Sequence, residues 1–137
     1  MSFLIDTDVI SELRKRDRVD EGVEQWFSDV DDAEVFLSVL TVGEIRRGIE
    51  SIRRRDRDRA LTLSRWLHAL VTQFESRLLT VDRNVAEEWG RLNTAATLPV
   101  IDGLLAATAR VHSLTLVTRN TRDVARAGVQ CFNPFST

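Results

Sequence analysis

The sequence has few of the features that mark secreted or membrane proteins. It contains one cysteine, Cys131, which cannot form an internal disulfide, so a reducing cytoplasm is the expected compartment. Because Cys131 lies in a short apolar run with no nearby histidine, we interpret it as a small buried side chain rather than a reactive thiol. No apolar run reaches about 18 residues, so no transmembrane helix is expected. The chain also turns acidic, at Asp6, too early for a signal peptide.

Several catalytic signatures are missing as well. The two histidines, His68 and His112, lie on predicted apolar helices, and no histidine–cysteine spacing typical of a zinc site is present. The chain has neither a glycine-rich phosphate loop nor a G-x-S-x-G nucleophile motif. The three tryptophans, Trp26, Trp66 and Trp89, recur at helical core spacing, so we interpret them as packing residues rather than base-stacking platforms.

Positive charge is carried almost entirely by arginine and is concentrated in one stretch. The formal net charge is −2, so no global basic field attracts nucleic acid, and Lys15 is the only lysine among the 19 basic residues. The crowded arginines are Arg46, Arg47, Arg53, Arg54, Arg55, Arg57 and Arg59. Two interpretations stay open: a solvated helix face partly paired with Glu50, Asp56 and Asp58, or a contact with phosphates or an acidic partner, which guanidinium groups bind bidentately.

Scarce turn residues and regular apolar spacing predict an α/β fold. With two prolines and six glycines, and with no repeat or linker, residues 1–137 should form a single domain rich in helix. Apolar runs predict strands at 2–6, 35–39, 78–80, 114–117 and 129–132. Helical spacing predicts helices at 7–16, 20–29, 41–52, 57–76, 82–95, 101–112 and 121–126. This alternation predicts a small central parallel sheet wrapped by several helices.

Acidic residues follow apolar runs at widely separated places. Asp6 ends the first predicted strand, Glu44 follows the second apolar run, and Asp102 and Asp123 follow two later ones. Because the carboxyl ends of parallel strands meet at one sheet edge, these carboxylates should gather there. Protons or cations must offset their repulsion, and oxygen ligands suit Mg²⁺ or Mn²⁺. A carboxylate site with divalent cations is a device for cleaving phosphodiesters, so the pattern predicts a nuclease.

Each acid also has a purely structural interpretation. Asp6 could cap the following helix, and Asp8, in its first turn, fits a surface acid stabilised by the helix dipole. The stretch from Thr41 to Glu44 has the pattern of a capping box, which would compete with a site role for Glu44.

The two later acids have similar alternatives. Asp102 could stabilise the first turn of an apolar helix, and Asp123 could cap a short helix or pair with a nearby arginine. Thr118 and Asn120, in the polar loop before Asp123, could hold a carboxylate or a water in place.

Five stretches of the chain together resemble a known family. They are residues 4–12 (LIDTDVISE), 40–49 (LTVGEIRRGI), 102–109 (DGLLAATA), 116–123 (LVTRNTRD) and 132–135 (FNPF). In this order they resemble the motifs of PIN-domain ribonucleases of the VapC toxin type. Each motif alone is weak, whereas four acidic motifs in order with a matching end are specific. Asp8 departs from the family pattern, which often has asparagine there.

The resemblance implies a three-layer α/β/α fold with a short parallel sheet. It implies that Asp6, Glu44, Asp102 and Asp123 bind Mg²⁺ or Mn²⁺ and that the protein cleaves RNA endonucleolytically. It also implies a homodimer and a small cognate antitoxin that inserts a segment into the site. The mechanistic hypothesis is that Asp6, Asp102 and Asp123 hold one or two cations, that Glu44 orients or deprotonates the attacking water, and that Thr118 and Asn120 support the carboxylates.

Two alternatives remain at this stage. The stretch Asp6–Thr7–Asp8 resembles the opening of haloacid-dehalogenase-like phosphatases, but Ile10 stands where that family has threonine or valine, and Lys15 is the only lysine available. The other alternative is a PIN-like binding module without activity, in which the acids only cap helices.

Overall fold

A five-stranded parallel sheet forms the centre of the molecule. The computed structural model describes residues 1–92 and 98–136. The strands are β1 (Phe3–Ile5), β2 (Val35–Ser38), β3 (Leu78–Leu79), β4 (Thr115–Val117) and β5 (Cys131–Phe132). They lie in the order β3-β2-β1-β4-β5, and each neighbouring pair is parallel. The prediction of a small parallel sheet is therefore confirmed.

Helices cover both faces of this sheet. In the described residues they are α1 (Thr7–Leu13), α2 (Glu21–Asp29), α3 (Val39–Arg53), α4 (Arg57–Gln73), α5 (Arg83–Leu92), α6 (Val100–Val111) and α7 (Thr121–Arg126). Short 3-10 turns lie at Arg16–Arg18, Asp32–Glu34 and Glu75–Arg77. None of the described helices is long and apolar enough to cross a membrane.

Alternation along the strands separates two hydrophobic cores. Leu4 and Leu116 point into a core with α5, α6 and α7, whereas Ile5 and Val117 point into a core with α1 to α4. Leu4 and Ile5 are both fully buried. A strand covered on both faces reads as a continuous apolar run, which is why β1 was visible in the sequence. The predicted packing role of the tryptophans is confirmed, since all three lie partly buried against these cores.

Capping side chains fix where several helices begin, and one predicted start is wrong. Asp82 accepts a hydrogen bond from the backbone N–H of Val85 at 2.9 Å, as expected for the cap of α5. Helix α3 begins at Val39 instead of Thr41, because the Ser38 hydroxyl accepts the N–H of Leu40 at 3.0 Å. The predicted end of α5 at residues 93–95 lies outside the described residues.

Two further expectations need correction. Helix α1 ends at Leu13 rather than residue 16, where Arg16 adopts a left-handed φ of 57° and starts a 3-10 turn. Cys131 is half-buried rather than buried, because it lies on β5 at the edge of the sheet. Burial still raises the pKa of its thiol, which argues against a reactive thiolate.

The carboxy-terminal segment returns to α2. The carboxylate of Asp20, which caps this helix, accepts the Ser136 hydroxyl at 2.7 Å and the Ser136 N–H at 3.0 Å. A side chain at Gly22 would collide with the carbonyl oxygen of Pro134 and would lie 2.8 Å from the Ser136 nitrogen. Glycine therefore permits the close approach of this segment to the first turn of α2.

We expect Gly22→Ala to destabilise the protein by roughly 1–3 kcal/mol, because its methyl group must displace backbone atoms. Thermal and urea unfolding would measure the loss. The matched control is Gly90→Ala on α5, where an added Cβ meets nothing within 4 Å and alanine should stabilise the helix by up to about 1 kcal/mol. Equal stability of the two variants would contradict the proposed close approach.

Candidate active site

Asp6 lies at the carboxyl end of the central strand and is held by two hydrogen bonds. Its Oδ1 accepts the backbone N–H of Thr7 at 2.7 Å, and its Oδ2 accepts the hydroxyl of Thr118 at 2.7 Å. Thr118 follows β4 and is fully buried, and its Oγ1 accepts the N–H of Asn120 at 3.1 Å. The Asp6 carboxylate therefore has a fixed orientation. It caps α1 and faces the sheet edge at the same time, so the two interpretations of Asp6 do not exclude each other.

Burial makes the charge on Asp6 costly. Desolvation, together with the nearby charges of Asp8 and Asp102, raises the pKa of Asp6 from 3.8 to about 6. The hydrogen bonds from Thr118 and Thr7 act in the opposite direction, because they stabilise the ionised form. Neighbouring carboxylates thus impose a repulsion that these two donors offset in part.

Asp102 connects the acids of four different elements. It lies in the first turn of α6, and burial is the main reason that its pKa is raised. The charges of Glu44, Asp8 and Asp123 raise the pKa of Asp102 further, in that order. Carboxylates from α1, α3, α6 and α7 therefore lie near enough to interact electrostatically.

Glu44 is held by a contact that the sequence did not reveal. Its Oε1 accepts the hydroxyl of Thr7 at 2.6 Å, and the same hydroxyl lies 3.2 Å from Oγ1 of Thr41. The capping-box interpretation of Glu44 is wrong, because α3 already begins at Val39 and Glu44 lies in its second turn. Thr7 thus orients Glu44 with its side chain and Asp6 with its backbone, and its position between two acids was the sequence signal for this role.

Asp8 is exposed in the first turn of α1, as its surface interpretation predicted, and its charge also reaches the acidic group. Its Oδ2 accepts the N–H of Arg119 at 3.2 Å, which ties α1 to the loop after β4. Burial raises the pKa of Asp8, and its charge acts on both Asp6 and Asp102. The spacing of two residues after Asp6 could have suggested this position, because the first turn of a helix stays close to its cap.

The group contains oxygen donors of the kind that Mg²⁺ and Mn²⁺ prefer. It concentrates negative charge, as the mutual effects on the pKa values of Asp6 and Asp102 show. As their side chains lie, no group of three or more acids, histidines or cysteines within residues 1–92 and 98–136 could hold a metal ion. The donor chemistry and the charge fit a divalent cation, and its binding would require these side chains to move closer together.

Sequence and structure comparisons identify the family. The family model of the PIN domain matches residues 3–129. The chain belongs to the PIN-domain family. It is 34% identical to Toxin FitB from Neisseria gonorrhoeae over 97% of this chain and 98% of that protein. It is 29% identical to VapC ribonuclease Y4jK from Sinorhizobium fredii over 97% of each.

A solved structure supports the same assignment. The crystal structure of FitAcB from Neisseria gonorrhoeae contains a chain with a TM-score of 0.88 and 33% identity, covering 96% of this chain and 97% of that one. The predicted three-layer PIN fold and the resemblance to the VapC type are therefore confirmed. The haloacid-dehalogenase-like alternative is wrong for this PIN domain.

We expect Asp6→Asn to stabilise the PIN domain at neutral pH and not at acidic pH. Since the pKa of Asp6 rises from 3.8 to about 6 on folding, its contribution to stability is greatest below pH 4 and is lost as the pH rises through 6. Asparagine does not ionise, so its contribution to stability does not fall with pH. Relative to the unmodified protein, the free energy of unfolding of the variant should therefore rise by up to roughly 3 kcal/mol above pH 7 and by almost nothing near pH 4. Urea unfolding from pH 4 to 8 measures the difference, with the exposed Asp17→Asn as control. A pH-independent difference would show that folding does not raise the pKa of this half-buried carboxyl group.

We expect Thr118→Val to raise the pKa of Asp6 further, because it removes a hydrogen bond that lowers it. An unsatisfied buried carboxylate oxygen should also cost about 1–3 kcal/mol. The same-sized change Thr115→Val on β4 is the control. Titration of the Asp6 carboxyl by NMR and thermal unfolding would test both effects; equal titration curves in the two variants would contradict the assigned bond.

Proposed function

We propose that this PIN domain is a divalent-cation-dependent endoribonuclease and the toxin of a toxin–antitoxin pair. The observation that carries the proposal is that carboxylates from four helices act on two acids: the charges of Asp8 and Asp102 raise the pKa of Asp6, and those of Glu44, Asp8 and Asp123 raise the pKa of Asp102. Such a concentration of charge is unfavourable for stability alone. It becomes favourable when a cation binds, so the site fits a cation-dependent function better than helix capping.

The names of the relatives agree with this chemistry. One full-length relative is named a ribonuclease and another is named a toxin. The non-catalytic alternative explains single helix caps, such as Asp6 on α1. It does not explain why the charge of Asp102 lies near those of Glu44 and Asp123.

In the proposed mechanism, Asp6, Asp102 and Asp123 supply the carboxylate oxygens that hold Mg²⁺ or Mn²⁺, and Glu44 completes the set. A Mg²⁺ or Mn²⁺ ion held by these residues would supply Lewis-acid polarisation of the scissile phosphate and a bound water of lowered pKa. Glu44 accepts a proton from the attacking water, since Thr7 occupies only its Oε1.

Supporting residues keep the carboxylates in place. Thr118 fixes the plane of the Asp6 carboxylate. The backbone N–H of Asn120 in turn fixes the hydroxyl of Thr118. The role proposed for Asn120 thus rests on its backbone.

A nuclease that cuts the RNA of its own cell must be kept inactive until it is needed. We therefore propose a small cognate antitoxin as partner, in line with the toxin named among the relatives. Homodimerisation remains part of the proposal because the VapC-type resemblance implies it. We also propose that residues 1–137 form a single domain.

We expect the purified, partner-free protein to cleave labelled total RNA with Mg²⁺ or Mn²⁺ and to lose the activity in EDTA. Asp102→Asn should lower the cleavage rate by at least about 100-fold, because it removes the carboxylate that faces three others. Gel electrophoresis of the end-labelled products would measure rates and cut sites.

The control for this experiment is Glu87→Gln. Glu87 is an exposed acid on α5 that pairs with Arg83 at 3.2 Å, so its loss should leave cleavage unchanged. Cleavage that persists in EDTA or in Asp102→Asn would overturn the proposed site. If the folded protein cuts no RNA with either cation, the non-catalytic module would be favoured.

A further inference from the structure

The structure sorts four of the crowded arginines into two groups with different surroundings. On one side of α3, Arg46 donates to the Ser64 hydroxyl of α4 at 3.1 Å and to Glu50 at 3.4 Å. Arg53 donates to both oxygens of Glu50 at 3.0 Å each. Glu50 therefore pairs with both arginines and offsets part of their charge, so the interpretation as a partly paired helix face is correct for them.

Arg47 lies on a different side of the same helix. It is exposed and lines an open groove of about 560 Å³, together with Glu44 of the acidic site. Arg54, one residue past the end of α3, is exposed as well. Within residues 1–92 and 98–136, neither Arg47 nor Arg54 takes part in an ion pair of the structure. Their charges are therefore available to an outside partner.

Helix geometry places these residues in a row. At 100° per residue, Arg47 and Arg54 lie within about 80° of Glu44, whereas Arg46 and Arg53 lie on the opposite side. The row runs along about 15 Å of the helix from Glu44 to Arg54. Gly43 and Gly48 leave it open, since an added Cβ at either position would meet nothing within 4 Å. We call residues 43, 44, 47, 48, 51 and 54 the groove face of α3.

We propose that the groove face of α3 binds the RNA backbone next to the cleavage site, with Arg47 on the phosphate adjacent to the scissile one and Arg54 on a phosphate further along. The inference rests on the proposed ribonuclease function and names how its substrate is held. The row begins at Glu44, so a strand lying in the groove would pass directly into the acidic site. Guanidinium groups also attract the RNA phosphates, which the carboxylates of the acidic site would otherwise repel.

The residues that line the groove are compatible with single-stranded RNA. Leu40 and Ile101 line it together with Arg47, and they offer apolar surface to the bases of a bound strand. A second copy of this chain could also cover such a surface. Arg47 and Arg54, which form no ion pair within residues 1–92 and 98–136, favour RNA, because its phosphates supply a negative charge for each of them.

The test compares two double variants that remove the same formal charge. Asp102→Asn serves as the background, so that RNA is bound without being cut, and the probe is a fluorescent pool of random 12-nucleotide RNAs. We expect Arg47→Ala/Arg54→Ala to lower the slope of log affinity against log salt by about 1.4, because two phosphate contacts are lost. Each lost contact should weaken binding about fivefold at 0.1 M salt. Arg46→Ala/Arg53→Ala should leave the slope unchanged. Circular dichroism verifies that both variants are folded.

Equal salt slopes in the two double variants would overturn the inference. So would a groove variant that changes the monomer–dimer equilibrium in light scattering while its RNA affinity stays the same, because the groove would then be covered by a second copy. Failure of this inference differs from failure of the ribonuclease function. In the first case the unmodified protein still cuts RNA with Mg²⁺ or Mn²⁺; in the second it neither binds nor cuts the RNA pool.

Discussion

The hydrogen bond between Thr118 and Asp6 is the interaction on which the sheet edge depends. The parallel ladder continues one residue beyond β1, since the N–H of Asp6 donates to the carbonyl of Val117 at 2.9 Å. This register brings Thr118, the residue that follows β4, beside the carboxylate of Asp6. Because Asp6 also caps α1, the end of the strand, the start of the helix and the orientation of the acid are set by one residue. The other acids gather around that fixed point.

The acidic edge and the arginines of α3 illustrate opposite uses of charge. Glu50 pairs with Arg46 and Arg53 on the exposed surface of α3, and Arg46 also donates to Ser64 of α4, so opposite charges offset each other there. At the sheet edge the hydrogen bonds to Asp6 offset only part of the cost of its charge, and the pKa values of Asp6 and Asp102 remain raised. Retaining such a cost is typical of sites in which function and stability conflict.

The sequence predicted the architecture correctly and supplied the acids now proposed for the site, and it failed where neighbouring choices compete. Buried strands and periodic helices are visible because burial imposes a pattern on many residues at once. The start of α3 was missed because Ser38 and Thr41 both make good caps and no pattern ranks them. The role of Thr7 could not be predicted without knowing on which turn of α3 Glu44 lies. The two groups of arginines could not be separated without knowing which side of α3 faces Ser64 of α4.

The order of the strands has a consequence for the timing of synthesis. The central strand β1 is made first, but its neighbour β4 and the partner Thr118 come more than a hundred residues later. Ribosomes add about 5–20 residues each second, so Asp6 waits for several seconds without the donor that fixes it. The acidic site cannot assemble on a nascent chain that still lacks β4. A nuclease of this topology is therefore harmless to the ribosome and messenger that produce it until nearly the whole domain has emerged.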